Sequence, residues 1–277
     1  MTTKPARTPA PRRAFASATA VLALVSWSAC SAAHGPSVVQ VAGRDVEVVE
    51  LGSGPATVVF ESGLGDGWSP WEATATEVAR DAQVFAYSRP GYGRSEATTT
   101  PRDAAHIVED LRALLTARGY APPYVLVGHS LGGTYMELFA KTHPDEVAAL
   151  VLVDPRHRDF TTACMDAQLT GCTLPESVLA TLPAVQRAEY TDSASAAAQI
   201  AAAGTFGDYP VRVLTATSHG ATEALEALWQ SMLGELADEA ADGEQIVFQG
   251  AGHYLQLSHP AEVVEVILSV LPSTGSD

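Results

Sequence analysis

One serine in the chain stands in a setting that predicts a nucleophile. Ser130 follows an apolar, strand-like run at residues 124–127 and precedes a segment whose apolar residues recur at helical spacing. A serine at the apex of a sharp strand–turn–helix exposes its hydroxyl, but its strained backbone leaves no room for side chains two positions away. Gly128 and Gly132 occupy those two positions. The pattern predicts a hydroxyl placed for nucleophilic attack; the alternative is a glycine-rich turn whose serine only caps the next helix.

The apolar pattern on both sides of Ser130 predicts the elements that hold it. Residues 57–60 form a continuous apolar run typical of a buried parallel strand, and further strands are predicted at residues 84–87, 150–154, 211–214 and 245–248. Segments with apolar residues at helical spacing lie between them, at residues 101–118 and 221–236 for example. This alternation predicts an α/β fold with a mostly parallel, doubly wound sheet, preceded by two strands within residues 37–54.

The alternation stops between residues 155 and 209. This segment is rich in alanine, has weak helical pieces and is much longer than an ordinary connection. We therefore predict a small helical cap inserted over the carboxyl edge of the sheet. The predicted organisation is an export signal at residues 1–29 and a single α/β domain at residues 30–277 that carries the insertion.

Three ordered motifs resemble those of the α/β-hydrolase family. Gly-His-Ser-Leu-Gly at residues 128–132 resembles the nucleophile elbow, and Gly-Ala-Gly-His at residues 250–253 resembles the histidine loop. Arg-Pro-Gly-Tyr-Gly-Arg-Ser at residues 89–95 resembles the turn after the fourth strand, with Ser88 where aspartate is usual. The resemblance covers residues 38–271 and implies the α/β-hydrolase fold of the esterase and aminopeptidase branch. A serine nucleophile argues against epoxide hydrolase and dehalogenase chemistry, which use a carboxylate on this fold.

The resemblance implies that His253 is the base. A serine hydroxyl is a poor nucleophile until a base removes its proton, and His253 stands in the histidine loop. The alternative for His253 is a polar loop residue with no catalytic role. Among the other histidines, His129 is expected to point away from the nucleophile, and His259 is expected to cap a helix that begins at Pro260.

Two backbone donors are expected to bind the oxyanion. The negative charge that forms on an attacked carbonyl oxygen needs fixed N–H groups. The resemblance implies the N–H groups of Leu131, which follows the serine, and of Leu64, in the glycine-rich loop at residues 61–67. The alternative for Leu64 is an ordinary wall of the pocket.

The triad acid is less plainly marked. The family usually places it just after the strand that follows the insertion, but residues 215–220 contain no carboxylate. Asp154 ends the preceding strand, a position that some members of the family use, and is the preferred candidate. Glu223 and Asp159 are the alternative candidates for the acid. The alternative role for Asp154 is that of a structural hydrogen-bond acceptor. His219 lies near the usual position but is not expected to orient an imidazolium.

Composition restricts the partners. Acidic residues outnumber basic ones 32 to 16, which argues against a nucleic-acid ligand. A chain of 277 residues with 47% hydrophobic residues suits one large core. No motif calls for a cofactor or a metal, and a small-molecule ester or amide is the expected substrate.

The first thirty residues resemble an export signal. Basic residues precede an acid-free apolar run at residues 14–25, which is too short for a stable membrane anchor. Arg12-Arg13 resembles a twin-arginine signal, and Ser28-Ala29-Cys30 resembles the end of a bacterial lipobox, which implies lipidation of Cys30. The alternative is cleavage near Ala29 or Ala33 and a freely secreted protein. We therefore expect export, with the membrane contacted only through this lipid.

Two further cysteines lie in the predicted cap. Cys164 and Cys172 are eight positions apart, and in an oxidising compartment such a pair is predicted to form a disulfide. They show no metal-binding spacing and no cysteine-nucleophile motif.

These features together predict a serine hydrolase that cleaves a carboxylic ester through an acyl-enzyme. An amide or peptide hydrolase with the same triad is the alternative among enzymes. A noncatalytic, lipid-anchored ligand-binding protein on the same fold is the alternative outside them.

Overall fold

An eight-stranded sheet organises the part of the chain that the computed structural model describes, residues 1–2 and 35–272. The strands in chain order are β1 (Ser37–Val41), β2 (Arg44–Leu51), β3 (Thr57–Glu61), β4 (Gln83–Tyr87), β5 (Tyr124–His129), β6 (Val147–Val153), β7 (Pro210–Ala216) and β8 (Asp242–Phe248). Their order across the sheet is β1-β2-β4-β3-β5-β6-β7-β8. The pairs β1–β2 and β2–β4 are antiparallel, and every other pair is parallel.

Ten α-helices accompany these strands within the described residues. They are α1 (Glu72–Val78), α2 (Ala104–Arg118), α3 (Leu131–Thr142), α4 (Phe160–Asp166), α5 (Glu176–Leu179), α6 (Ala184–Asp192), α7 (Ala196–Ala202), α8 (Glu223–Asp238), α9 (Leu255–Ser258) and α10 (Pro260–Ser269). None of them is long and apolar enough to cross a bilayer.

The core lies on both faces of the sheet. Successive side chains of a strand point to opposite faces, so Leu126 of β5 joins one apolar cluster, and Val125 and Val127 join the other. The first cluster contains residues of α2, α3 and α8, and the second contains residues of α1 and α10. Burial on both faces explains why the central strands are continuous apolar runs, and it confirms the predicted doubly wound, mostly parallel sheet.

The segment between β6 and β7 contains the four helices α4 to α7. In this segment Cys164 and Cys172 form a disulfide, with their Cα atoms 5.5 Å apart. Both cysteines pack with Phe160 and with Met232 of α8. The start of the inserted segment is therefore attached to a helix of the main fold.

Several predicted boundaries were wrong by a few residues for identifiable reasons. β8 begins at Asp242, not near residue 245, because its first residues are polar and exposed at the sheet edge and give no apolar signal. α2 begins after Asp103, whose carboxylate accepts hydrogen bonds from the N–H groups of Ala105 and His106. After the loop at residues 61–67, a 3₁₀ turn, Ser69–Trp71, leads directly into α1.

The predicted export segment, with Cys30, lies outside the described residues.

Candidate active site

Ser130 lies at the junction of β5 and α3, where the parallel strands end. Its backbone has φ 53° and ψ −123°, a conformation that residues with side chains rarely adopt. A Cβ on Gly128 would lie 2.7 Å from the carbonyl oxygen of Gly132, and one on Gly132 would clash with the backbone of Ser62. The turn that exposes the serine therefore requires both glycines, as predicted.

His253 contacts the serine hydroxyl from the loop between β8 and α9. Its Nε2 lies 2.9 Å from Oγ of Ser130, and its Nδ1 lies 2.6 Å from Oδ2 of Asp154. Because a carboxylate can only accept, Nδ1 carries the proton and Nε2 accepts from the hydroxyl. The three side chains form one continuous hydrogen-bonded chain.

Asp154 is fully buried directly after β6, in a left-handed backbone conformation with φ 44°. Its Oδ1 accepts from the backbone N–H of Ala216 and from Nε1 of Trp229, both at 2.9 Å. Burial alone would raise the pKa of this carboxyl, but hydrogen bonds from His219 and His253 hold it well below its usual value. Asp154 is therefore a fixed anion.

The two alternative acids lie elsewhere. Glu223 is exposed at the first position of α8, and Asp159 is exposed beside Arg158, with Oδ2 3.4 Å from its Nε. Among the described residues, the carboxylate that hydrogen-bonds to the His253 ring is that of Asp154.

A second imidazole on Asp154 was missed by the sequence analysis. Nε2 of His219, in the loop after β7, lies 2.7 Å from Oδ2 of Asp154. Nδ1 of the same ring lies 2.7 Å from Oε2 of Glu226 on α8. From the sequence we expected only that His219 would not orient an imidazolium, and no contact with the acid was predicted. The turn after β7 brings the ring directly onto the Asp154 carboxylate.

His219 is a cation at neutral pH. Burial opposes its charge, but the hydrogen bonds and charges of Asp154 and Glu226 outweigh that effect and raise the pKa of His219 to about 9. The available sequence signal was a histidine at the usual acid position, with an acid and a tryptophan at 226 and 229 on one face of the next helix.

The loop at residues 61–67 passes next to Ser130. A Cβ on Gly63 would lie 3.1 Å from Nδ1 of His129 and 3.2 Å from Cβ of Ser130, a tight contact that glycine avoids. Leu64 follows in this loop, and Leu131 begins α3. Within the described part of the chain, neither of their backbone N–H groups donates to a protein acceptor.

Comparison with known proteins agrees with this geometry. The family model of the alpha/beta hydrolase fold matches residues 56–171, which include the elbow. A solved epoxide hydrolase mutant from Vigna radiata superposes with a TM-score of 0.62, covering 85% of this chain and 98% of its own, at 19% identity. The protein has the α/β-hydrolase fold. At this identity the structural likeness shows the fold alone.

Curated relatives match in part. Lipase LipV of Mycobacterium tuberculosis is 38% identical over 112 residues, which are 40% of this chain and 42% of the lipase. The putative carbamate hydrolase RutD of Caulobacter vibrioides is 34% identical over 131 residues, which are 43% of this chain and 47% of RutD. The matched stretches span less than half the length of these relatives.

In this α/β-hydrolase fold, a buried arginine anchors the loop beside the serine. Arg89 donates from Nη1 to the carbonyl oxygen of Ser62 and from Nη2 to that of Gly63, both at 2.6 Å. Its charge is paired with Glu61 at 2.5 Å and with Glu189 of α6 at 2.6 Å, and all three side chains are buried. The loop is thereby connected to the inserted helices.

His129 contacts the backbone of His253. Its Nε2 lies 3.0 Å from the carbonyl oxygen of His253, and the two rings are 4.6 Å apart. Burial, and then the nearby charge of His253, lowers the pKa of His129 to about 3, so its ring is neutral. The ring contacts the backbone of the His253 loop and not the serine hydroxyl.

One set of described residues has donor atoms close enough together for a metal ion. The ligand atoms of Asp154, His219 and His253 lie within 4.8 Å of one another. Nε2 of His219 and Nδ1 of His253 both pair with Oδ2 of Asp154, so these three residues form a hydrogen-bonded group.

Proposed function

We propose that the protein is a serine hydrolase that cleaves a carboxylic ester through an acyl-enzyme intermediate. The observation that carries the proposal is the hydrogen-bonded chain Ser130–His253–Asp154, with 2.9 Å and 2.6 Å between successive partners. The LipV match supports a hydrolase, and the serine at the elbow supports acyl transfer.

In the proposed mechanism, His253 removes the proton from Ser130 as Oγ attacks the substrate carbonyl carbon. The ring then carries a positive charge, which the Asp154 anion stabilises. The N–H groups of Leu64 and Leu131 would bind the oxyanion of the tetrahedral intermediate. His253 next gives its proton to the leaving alcohol, and the acyl group stays on the serine.

The second half of the reaction uses the same groups. Water takes the place of the alcohol, and His253 removes its proton as the oxygen attacks the acyl carbon. Collapse of the second intermediate returns the proton to Ser130 and releases the acid product. No other group is needed to balance protons in either half.

Active-site labelling tests the proposal directly. A fluorophosphonate probe should label the native protein at Ser130, and para-nitrophenyl esters of graded chain length should be hydrolysed. Ser130→Ala removes a single hydroxyl and should abolish both, with an unchanged melting temperature. Wild-type turnover by a folded Ser130→Ala protein would refute the proposed nucleophile.

A second candidate reaction has its own support. The relative RutD is named a putative carbamate hydrolase, so cleavage of an amide or carbamate bond by the same triad is the alternative. Anilide and carbamate analogues of the best ester distinguish the two, since the preferred class has the higher kcat/KM. The noncatalytic alternative was favoured by the missing usual acid, and the contact between Asp154 and His253 weakens that case.

We further propose that the protein is exported and attached to the membrane through a lipid on Cys30. This proposal rests on the basic and apolar residues before Cys30 and on the lipobox-like Ser28-Ala29-Cys30.

A further inference from the structure

A cavity of about 250 Å³ lies between the inserted segment and α8, next to the acid end of the triad. Two of its walls, His219 and Trp229, are the same side chains that donate hydrogen bonds to Asp154. Phe160 and Leu225 add apolar walls, and Arg156 supplies a guanidinium. The cavity therefore combines apolar walls with three charged side chains, the cations Arg156 and His219 and the anion Glu226. Apolar walls with a few polar groups are typical of a small-ligand subsite.

Arg156 has a positive charge in this cavity with no carboxylate paired to it among the described residues. It is partly buried, and its hydrogen-bonding partner is a neutral hydroxyl, Oγ1 of Thr161, which accepts from Nη2 at 2.6 Å. The guanidinium also lies over the Phe160 ring, 5.4 Å from its centroid. Within residues 35–272, no carboxylate oxygen lies within 4.0 Å of its nitrogens. Burial lowers the pKa of Arg156, as expected for a charge partly removed from water with no carboxylate within that distance.

Two other buried arginines have their charge paired with a carboxylate. Arg89 and Arg102 are also buried, and both bind the carboxylate of Glu189. One carboxylate, that of Glu226, lines the same cavity as Arg156. Its two oxygens are already used, since Oε2 accepts from Nδ1 of His219 and Oε1 accepts from the N–H of His219, both at 2.7 Å. The protein itself therefore leaves the charge of Arg156 uncompensated.

We propose that this cavity is a subsite for a carboxylate carried by the substrate, with Arg156 as the recognising group. A guanidinium binds a carboxylate through two parallel hydrogen bonds, which a neutral ester cannot reproduce. The walls formed by Phe160, Leu225 and Trp229 suit a short apolar spacer between the carboxylate and the scissile bond. The inference rests on the proposed function, because it gives that reaction a substrate class: an ester or amide with a free acid group.

Two contacts connect the cavity walls to the proposed triad. The backbone N–H of Arg156 donates to the carbonyl oxygen of Ser130 at 2.9 Å. The Trp229 ring lies 6.2 Å from the His253 ring. Because the contact to Ser130 is made by the backbone, a change in the Arg156 side chain leaves it in place.

Two matched substrate pairs test the subsite and locate the acid. On the acyl side, para-nitrophenyl hydrogen adipate is compared with its neutral methyl ester. On the leaving-group side, para-carboxyphenyl butyrate is compared with the para-methoxycarbonyl analogue. In at least one pair, Arg156→Gln should lower the acid-to-neutral ratio of kcat/KM by about tenfold or more relative to the native protein. The affected pair shows which side of the scissile bond carries the carboxylate.

Matched variants separate recognition from general charge effects. Arg80→Gln removes one positive charge from an exposed ion pair with Glu77 and should leave both ratios unchanged. Arg156→Lys keeps the charge but loses the two-point geometry, so its ratio should lie between those of the native protein and Arg156→Gln. Ratios that Arg156→Gln changes by less than twofold in both pairs would overturn the proposal.

A binding measurement does not depend on turnover or on the variants. Calorimetry on the native protein should show tighter binding of para-hydroxybenzoate than of para-hydroxybenzamide, by about tenfold. Equal affinities, or no binding of either, would also overturn the subsite. Failure of the fluorophosphonate probe to label Ser130 would instead contradict the proposed hydrolase, so the two failures are distinguishable.

Discussion

Oδ2 of Asp154 lies between two imidazoles, 2.7 Å from Nε2 of His219 and 2.6 Å from Nδ1 of His253. One carboxylate oxygen therefore accepts a hydrogen bond from the histidine that contacts Ser130 and from a second, cationic histidine that does not. Glu226 binds the far side of the second ring. The result is a hydrogen-bonded chain of five side chains, from Glu226 through His219, Asp154 and His253 to Ser130.

The first prediction is that His219 changes the reaction rate at the pH where it titrates. Its positive charge is present below the raised pKa of about 9 and is lost as pH rises through that value. Asp154 and Glu226, on the two sides of the ring, then lose a charged hydrogen-bond donor. His219→Gln carries no charge at any pH, so a change in kcat/KM near pH 9 in the native protein should be absent from the variant.

The control for this prediction is Glu223→Gln on the exposed start of α8, which should leave the pH profile unchanged. If His219→Gln lowers kcat/KM uniformly at all pH values, His219 only holds Asp154 in place. That outcome would contradict the charge effect.

The second prediction concerns the acid itself. Asp154→Asn keeps the size of the side chain, but its amide can place a donor toward Nδ1 of His253 and favour the wrong tautomer. Loss of a triad acid in this way lowers kcat by a factor on the order of 10⁴. Initial rates on the best para-nitrophenyl ester measure the effect. Glu223→Gln and Asp159→Asn should each stay within about twofold of the native rate, and a larger loss in either would reopen the assignment.

Some site residues could be predicted because neighbouring residues in the sequence mark them, and others could not because only distant residues do. Ser130 and His253 are marked by glycines within a few positions, because a strained turn and a tight loop constrain their own neighbours. Asp154 was one of three candidates, since an acid can reach the histidine from the end of either of two adjacent strands. The contact that selects it joins positions 99 residues apart.

His219 and Arg156 could not be assigned from the sequence for a related reason. His219 is singled out by its contact with Asp154, and Arg156 by the lack of a carboxylate beside it within the described residues. Both features depend on which segments of the chain the fold brings together. The sheet itself was predictable because burial on both faces leaves continuous apolar runs in the sequence.

The third prediction tests the anchor of the loop beside the serine. Arg89→Lys cannot bind both carbonyl oxygens and both carboxylates at once, so Glu61 and Glu189 lose part of their pairing while buried. Breaking a buried ion pair costs about 3–5 kcal/mol in the free energy of unfolding. Urea unfolding measures this, with Arg80→Lys at an exposed pair as the control, expected to change stability by less than about 1 kcal/mol. Equal stability of the two variants would contradict the prediction.

The fourth prediction is a loss of stability in mild acid. Burial, and then the charge of Arg158, lowers the pKa of His157 to about 4. As pH falls below the usual histidine value of about 6.5, the unfolded chain binds a proton that the folded protein does not. His157 therefore destabilises the fold progressively between about pH 6.5 and 4, by about 1.4 kcal/mol per pH unit.

His157→Gln retains an acceptor for the N–H of Asp159, which lies 3.1 Å from Nδ1, and should flatten the slope of unfolding free energy against pH by this amount. Urea unfolding at several pH values measures the slope. Identical slopes for His157→Gln and the native protein would count against a neutral, buried His157.

The fifth prediction concerns attachment to the membrane. If Cys30 carries a diacylglyceryl group, two acyl chains are enough for stable anchoring, where one chain gives only marginal binding. The native protein should then enter the detergent phase in a Triton X-114 partition of cells that express it. Cys30→Ser should shift the protein to the aqueous phase or the medium, or accumulate its precursor. The double variant Cys164→Ser/Cys172→Ser keeps Cys30 and should partition like the native protein. Mass spectrometry that finds an unmodified mature N-terminus beyond Cys30 would show that the protein is released without a lipid.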